Sequence, residues 1–192
     1  MPFILASSSP QRLKLLNQLK RIPIKIISPN IDESLLPNEN PKNLSCRLAL
    51  SKARSVHSQY IDHYVLAADT VVSSGKRVLG KTSNRNKAYY FLNILSGKRH
   101  RVYGGVALVG PNTVRVKSVT THVSFKRLSK EEISNYLDTD EWKNKAGGYA
   151  IQGFGGKFVK RINGSYTNVV GLCVYTVESV LGNIKEANNV QH

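Results

Sequence analysis

Cysteine is nearly absent from this 192-residue chain: Cys46 and Cys173 are the only two, far apart and in no metal-ligand or redox spacing. That excludes a cysteine-held zinc or a dithiol pair, and both sit among apolar neighbours as small core residues. The five histidines form no HxH or HxxxH pair, which removes the other common zinc signature. No long apolar run suggests a membrane span. The opening MPFILASSSPQR lacks a basic stretch ahead of its apolar residues, so a first strand is expected, not a signal peptide, and a cytoplasmic location with it. Aromatics make up 8% and do not interleave with basic residues as in RNA-recognition sequences. Acid is scarce as well. Twelve Asp and Glu stand against twenty-eight Lys and Arg, a net charge of +16. Such a balance argues for anionic company, whether nucleic acid, phosphorylated small molecules or solvent ions, and charge alone does not choose among them.

What remains is an ordinary globular composition, 41% hydrophobic and 21% charged, long enough for one domain over 1–192 with two lobes. PFILA predicts a buried strand, SSSPQR a loop entering a helix with Pro10 in its first turn, and Leu13, Leu15, Leu16 and Leu19 its apolar positions. IPIKIIS predicts a second strand. Residues 30–43 read as a polar surface loop. Cys46, Ala49, Leu50, Ala53, Val56 and Tyr60 recur at helical spacing. YVLAADTVV predicts a strand, SSGKRVLGKT a glycine-bearing turn, and NRNKAYYFLNILSG a helix closed by Gly97. VYGGVALVG and TVRVKSVTTHVSF predict consecutive strands about a Gly-Pro-Asn turn. Ser129 with Glu132 is a capping box for SKEEISNYLD. Seven of the fourteen glycines fall between Gly147 and Gly171, a closing helix is expected within VVGLCVYTVESVLG, and the EANNVQH tail should fray. Early alternation and later clustering of strands predict an α/β fold with a mixed sheet and flanking helices.

Four places could carry chemistry. Leu5 to Arg12 runs from a strand through hydroxyls into a helix N-terminus, a natural anion site. Arg12 in a first turn opposes the helix dipole, so either it meets an anion or it is solvated beside a Ser-capped helix. Asp69 interrupts an apolar run, with Thr70 on the opposite strand face. Its carboxylate needs a cation or a hydrogen bond, or else merely caps a turn. Glu33, Lys52 and Lys81 are isolated charges that spacing does not unite, and Lys52 falls at the margin of its helix's apolar face, where it could snorkel as easily as bind phosphate. Lys145 to Gly153, KAGGYAIQG, permits tight turns, and the Gln152 amide could read a base edge or lie exposed.

LASSSPQR, AADTVV, LGKT, LSGKRHRVYGGVAL and KAGGYAIQGFGGKFVKRINGSYTNVVGL together resemble the Maf family, in that family's order and across nearly the whole chain. The resemblance implies a house-cleaning nucleoside triphosphate pyrophosphatase on an elongated α/β fold similar to inosine triphosphate pyrophosphatases, with a cleft between two lobes. It further implies a divalent cation (Mg²⁺ or Mn²⁺) and assembly as a homodimer. On the family's pattern Asp69 is the catalytic carboxylate. Glu33 with Asp69 would hold the metal, and Ser7, Arg12, Lys52 and Lys81 the phosphates. Gln11, Thr70 and Gln152 fall where substrate preference is set, and the later segments look like the branch acting on dTTP and UTP. Departures are SPQR for SPRR, which removes a guanidinium at Gln11, LGKT for GKP, NKAGG for DKAG, which places Asn144 where an acid is usual, and GLCV for GLPL. The expected reaction is attack of an Asp69-oriented water on the α-phosphorus, with Asp69 as base, ligand or both. The rival readings are a basic nucleic-acid-binding or cell-division regulatory protein and a phosphatase releasing orthophosphate.

Overall fold

The structure, a computed structural model, describes residues 2–182; the EANNVQH tail lies outside the described residues. In chain order the elements are β1 (Phe3–Ala6), α1 (Pro10–Gln18), β2 (Lys25–Ile27), α2 (Pro41–His57), β3 (Tyr64–Ser74), β4 (Arg77–Leu79), α3 (Arg85–Leu95), β5 (Arg99–Gly110), β6 (Thr113–Phe125), α4 (Lys130–Leu137), β7 (Val159–Asn163), α5 (Tyr166–Val170) and α6 (Val174–Gly182). Short 3-10 turns occupy Ala146–Gly148 and Phe154–Phe158.

The strands form one seven-stranded mixed sheet in the order β2-β1-β3-β5-β6-β7, with β4 paired to the end of β3. β1 is parallel to both β2 and β3, because α1 and α2 carry the chain back over the sheet; the later strands pair antiparallel, β3–β4 and β5–β6 through tight turns and β3–β5 and β6–β7 across longer connections that carry α3 and α4. Strand alternation sorts the core. Phe3, Leu5, Leu66, Ala68, Val106 and Leu108 face Leu15, Leu16 and the α6 side chains Val177 and Val180. Ile4, Ala6, Val65, Ala67, Ala107 and Val109 face Ala49, Ala53 and Val56 of α2. A third cluster around Val72, Phe91, Val102, Val123, Tyr136, Trp142 and Phe158 holds α3, α4 and the glycine-rich segment together.

Local chemistry sets the helix starts. Asn43 and Lys87 donate their backbone N–H groups to Asn40 and Asn84, and the Ser129–Glu132 capping box is present. Gly97 takes φ +68° beyond α3, as its C′ role requires.

Several boundaries differ from the sequence expectation. Helix α2 begins at Pro41, inside the expected loop, because Asn40 caps it and Pro suits its first turn. The segment SSGKRVLGKT is half of a hairpin, since β3 continues to Ser74 and turns at Gly75 into β4. β7 was hidden by alternating polar residues, VKRIN, at the sheet's edge. Among the described residues no helix is long and apolar enough to cross a membrane.

Candidate active site

Asp69 lies on the β3 face that packs under α2, and Thr70 on the other, as alternation requires. Directly across from Asp69 stands Gly105 of β5. A Cβ there would lie 2.1 Å from the Ser45 carbonyl, so the missing side chain lets α2 seat closely on the sheet. Seated so, the helix presents a stripe of Ser45, Leu48, Ala49, Lys52, Ala53 and Val56 inward. Lys52 therefore belongs to the buried stripe and not to its margin. It is 4% exposed, and it does not snorkel.

The Lys52 ammonium bridges two carboxylates, at 2.5 Å from Asp69 Oδ1 and 2.5 Å from Glu33 Oε1. Lys81 approaches Glu33 Oε2 at 3.5 Å. Half-burial works against the charge on Glu33, but the Lys52 hydrogen bond and the attraction of both lysines outweigh it and hold the carboxyl below its ordinary range. Asp69 is 3% exposed and sits behind Lys52. Among the described residues no group donates to its Oδ2.

The wall beside this group is built from the β1–α1 junction. Arg12 is buried, yet every acceptor it reaches is neutral: Nε donates to Gly171 O at 3.0 Å, one terminal nitrogen to Ser7 Oγ at 3.1 Å, the other to Thr70 Oγ1 at 3.5 Å. Burial pulls this guanidinium below its usual value, against the attraction of Asp69 and Glu33. The Ser9 side chain caps nothing; its hydroxyl donates to Gln11 Oε1 at 3.2 Å, which leaves the first turn of α1 uncapped by any side chain. A Ser-capped helix with a solvated arginine is thus the wrong description of this junction.

These walls enclose a cleft of about 530 Å³. Ser7, Gln11, Arg12, Glu33, Lys52, Thr70, Lys81 and Gln152 all line it, so eight of the nine residues singled out from the sequence converge; Asp69 is one side chain behind. Gln152 is exposed and lines the same cleft as Tyr149. The Tyr149 hydroxyl meets His100 Nε2 at 2.9 Å, and burial drives this phenol's pKa upward.

Three lining residues escaped the sequence reading in their role: Lys143, Lys145 and Tyr149. A signal existed for their loop. Asn144 between the lysines takes φ +58°, a conformation Asn tolerates, and two positive-φ glycines follow. Which wall the lysines face depends on tertiary contacts.

Among the described residues no three His, Cys, Asp or Glu side chains cluster as a metal cage. Glu33 and Asp69 do converge on one cation, the Lys52 ammonium. Two carboxylates fit a hard cation that takes its other ligands from water and phosphate.

The Maf-like protein family matches residues 2–184. The chain is 49% identical over 179 residues to a nucleoside triphosphate pyrophosphatase of Ehrlichia ruminantium (strain Welgevonden), covering 93% of each. It is 47% identical over 185 residues to a dTTP/UTP pyrophosphatase of Chelativorans sp. (strain BNC1), covering 93% of this chain and 88% of that protein. A dTTP/UTP pyrophosphatase of Mesorhizobium japonicum is 44% identical over 185 residues.

Proposed function

The chain belongs to the Maf-like protein family, and from that premise we propose that it hydrolyses nucleoside triphosphates, dTTP and UTP foremost, to the monophosphate and pyrophosphate. One observation carries this reading. Among the described residues the cleft is lined by Arg12, Lys52, Lys81, Lys143 and Lys145 against Glu33 as the one lining acid. A polyanion of about four charges matches that excess; a neutral ligand does not.

In this reading the phosphate chain lies along Ser7, Arg12 and the first turn of α1, with Lys52 and Lys81 on its flank. Arg12 already spends donors on Ser7 and Gly171, which fixes the plane of its guanidinium before substrate arrives. Asp69 Oδ2, without a protein donor among the described residues, accepts a hydrogen bond from the attacking water and takes its proton. Oxygen bonds to the α-phosphorus, the bond to the β-phosphate oxygen breaks, and pyrophosphate leaves with the electron pair. Lys52 pairs with both Asp69 and Glu33 and offsets the repulsion between the two carboxylates. Glu33 and Asp69 would also hold Mg²⁺ or Mn²⁺, which when bound supplies charge neutralisation on the phosphates. Thr70, Gln11 and Gln152 would set base preference. Gln152 lines the cleft with an exposed amide, and amides both donate and accept. A cytoplasmic location and a homodimer complete the reading. The exposed Ile22, Ile24 and Ile26 near the β2 edge support the dimer.

The deciding experiment incubates the protein and Mg²⁺ with UTP, dTTP and purine triphosphates and identifies the phosphate released. Pyrophosphate with pyrimidines preferred is the expected result. Orthophosphate would replace this reading with a phosphatase. No turnover, with salt-sensitive retention of DNA or RNA, would replace it with a binding protein.

A further inference from the structure

Five basic side chains line the cleft, and four of them have protein partners. Arg12 is held by Ser7 and Gly171, Lys52 by Asp69 and Glu33, Lys81 by Glu33, and Lys143 by Asp140 at 2.6 Å. Lys145 has none among the described residues. It is half-buried, in a wall already crowded with positive charge.

The mounting of Lys145 is rigid. Its own N–H donates to Trp142 O at 3.1 Å, and its carbonyl accepts from Gly148 N–H at 3.1 Å. Next to it, Asn144 donates its N–H to Thr82 O at 3.0 Å and accepts from the Ser83 hydroxyl at 3.1 Å. These bonds tie the loop of Lys145 to the loop of Lys81. On its other side Gly147, at φ +73°, lies so close to β3 that a Cβ would sit 2.9 Å from Val72 Cγ1. Trp142, 2% exposed, anchors the whole turn by donating its ring N–H to Leu137 O. A lysine on a flexible surface loop explains itself by solvation. One fixed by its backbone inside a basic cleft suffers like-charge repulsion and gains nothing from the protein in return. An anion in the cleft removes that repulsion, and with the loop already fixed only the lysine side chain is left to order.

We propose that Lys145 is a binding residue for the phosphate chain of the substrate, meeting its oxygens together with Lys81, whose loop is tied to its own. This rests on the reading of the cleft as a nucleoside triphosphate site. The adjacent Asn144 side chain is neutral and is engaged by the Ser83 hydroxyl, so it supplies Lys145 with no counter-charge.

Inorganic tripolyphosphate is the probe, since it carries a phosphate chain and no base. Its affinity is measured by calorimetry and by competition against UTP turnover, for wild type, K145Q, K145R and K76Q. Lys76 is an exposed residue of the β3–β4 turn that controls for loss of one charge anywhere. K145Q should weaken tripolyphosphate and raise the KM for UTP by about tenfold, the size of one charge-assisted contact, with kcat changed less. K145R should recover most of the loss, and K76Q should match wild type. Lys145 has no side-chain partner to lose, so the melting temperature of K145Q should stay at the wild-type value. Unchanged tripolyphosphate affinity in K145Q, beside normal pyrophosphate release by wild type, overturns this inference and leaves the proposed function standing. Lys145-dependent tripolyphosphate binding by a protein that releases no pyrophosphate does the reverse.

Discussion

Asp69 and Lys52 form a pair that either residue alone would make expensive, because an unpaired charge at that depth costs several kcal/mol. Glu33 changes the consequence of removing Asp69. It stays 2.5 Å from the ammonium, so Asp69→Asn leaves Lys52 compensated. We therefore expect D69N to fold and melt close to wild type while pyrophosphate release falls by about 10²- to 10⁴-fold, the usual loss for a positioned base. Turnover near wild type in D69N would remove Asp69 from the reaction and leave it a structural partner of Lys52. In the sequence, Asp69 was legible because it broke an apolar run. Lys52 was legible only as a lysine near an apolar stripe, since sequence spacing does not show that its neighbour in space is a carboxylate.

Helix α2 on the sheet is where element geometry becomes site geometry. Its close seating depends on Gly105, whose added Cβ would meet backbone, the Ser45 carbonyl, at 2.1 Å. Backbone does not swing aside as a side-chain tip does. Gly104, its neighbour, serves the other face, where a Cβ would meet Asn168 Oδ1 at 1.9 Å. Asn168 is buried and donates to Val102 O and Thr121 Oγ1, which pins α5 across β5 and β6. Gly105→Ala is expected to destabilise by about 1–3 kcal/mol, the range for overpacking. Calorimetry should show this as a melting temperature lower by several degrees. Turnover should fall as well, since Lys52 rides on the displaced helix. Gly182→Ala, with nothing among the described residues within 4 Å of the new methyl, should leave both unchanged. If G105A is as stable as wild type, the close seating of α2 does not hold the site.

At the scale of the molecule, His100 links stability to pH. It is buried against Phe125 and Tyr149, and burial lowers its pKa from 6.5 to about 4. Above pH 6.5 the imidazole is neutral whether the chain is folded or not, and its contribution is fully present. As pH falls from 6.5 towards 4 the unfolded chain takes up a proton that the folded one refuses. Stability therefore drops across that window, by up to roughly 3 kcal/mol for the shift at this one residue. Urea midpoints measured between pH 7 and pH 4 should show the fall, and H100Q should flatten it. An equal slope in H100Q would assign the acid sensitivity to other groups. The net charge of +16 acts at this scale too. Only part of it faces the cleft, and the rest draws anions to the whole surface.

Composition and pattern were enough for the element types: the apolar runs of β1 and β3, the Ser129–Glu132 box of α4 and the Gly97 stop of α3 each act within a few residues of chain. Charge bias and the Asp in the β3 run likewise marked a basic chain and one carboxylate in need of a partner, without choosing what either meets. The convergence of Glu33, Lys52, Lys81 and Arg12 on one cleft was decided by tertiary structure alone, because these residues are brought together by parallel crossovers and by the close fit of α2 on Gly105. The same holds for the exposed strand β7, whose pairing with β6 outweighs its polar sequence, and for Lys145, whose wall is chosen by the bond from Asn144 to Thr82. Local propensity acts over one or two turns of chain; a site spanning positions 7 to 152 exists only once packing has fixed the distances between its parts.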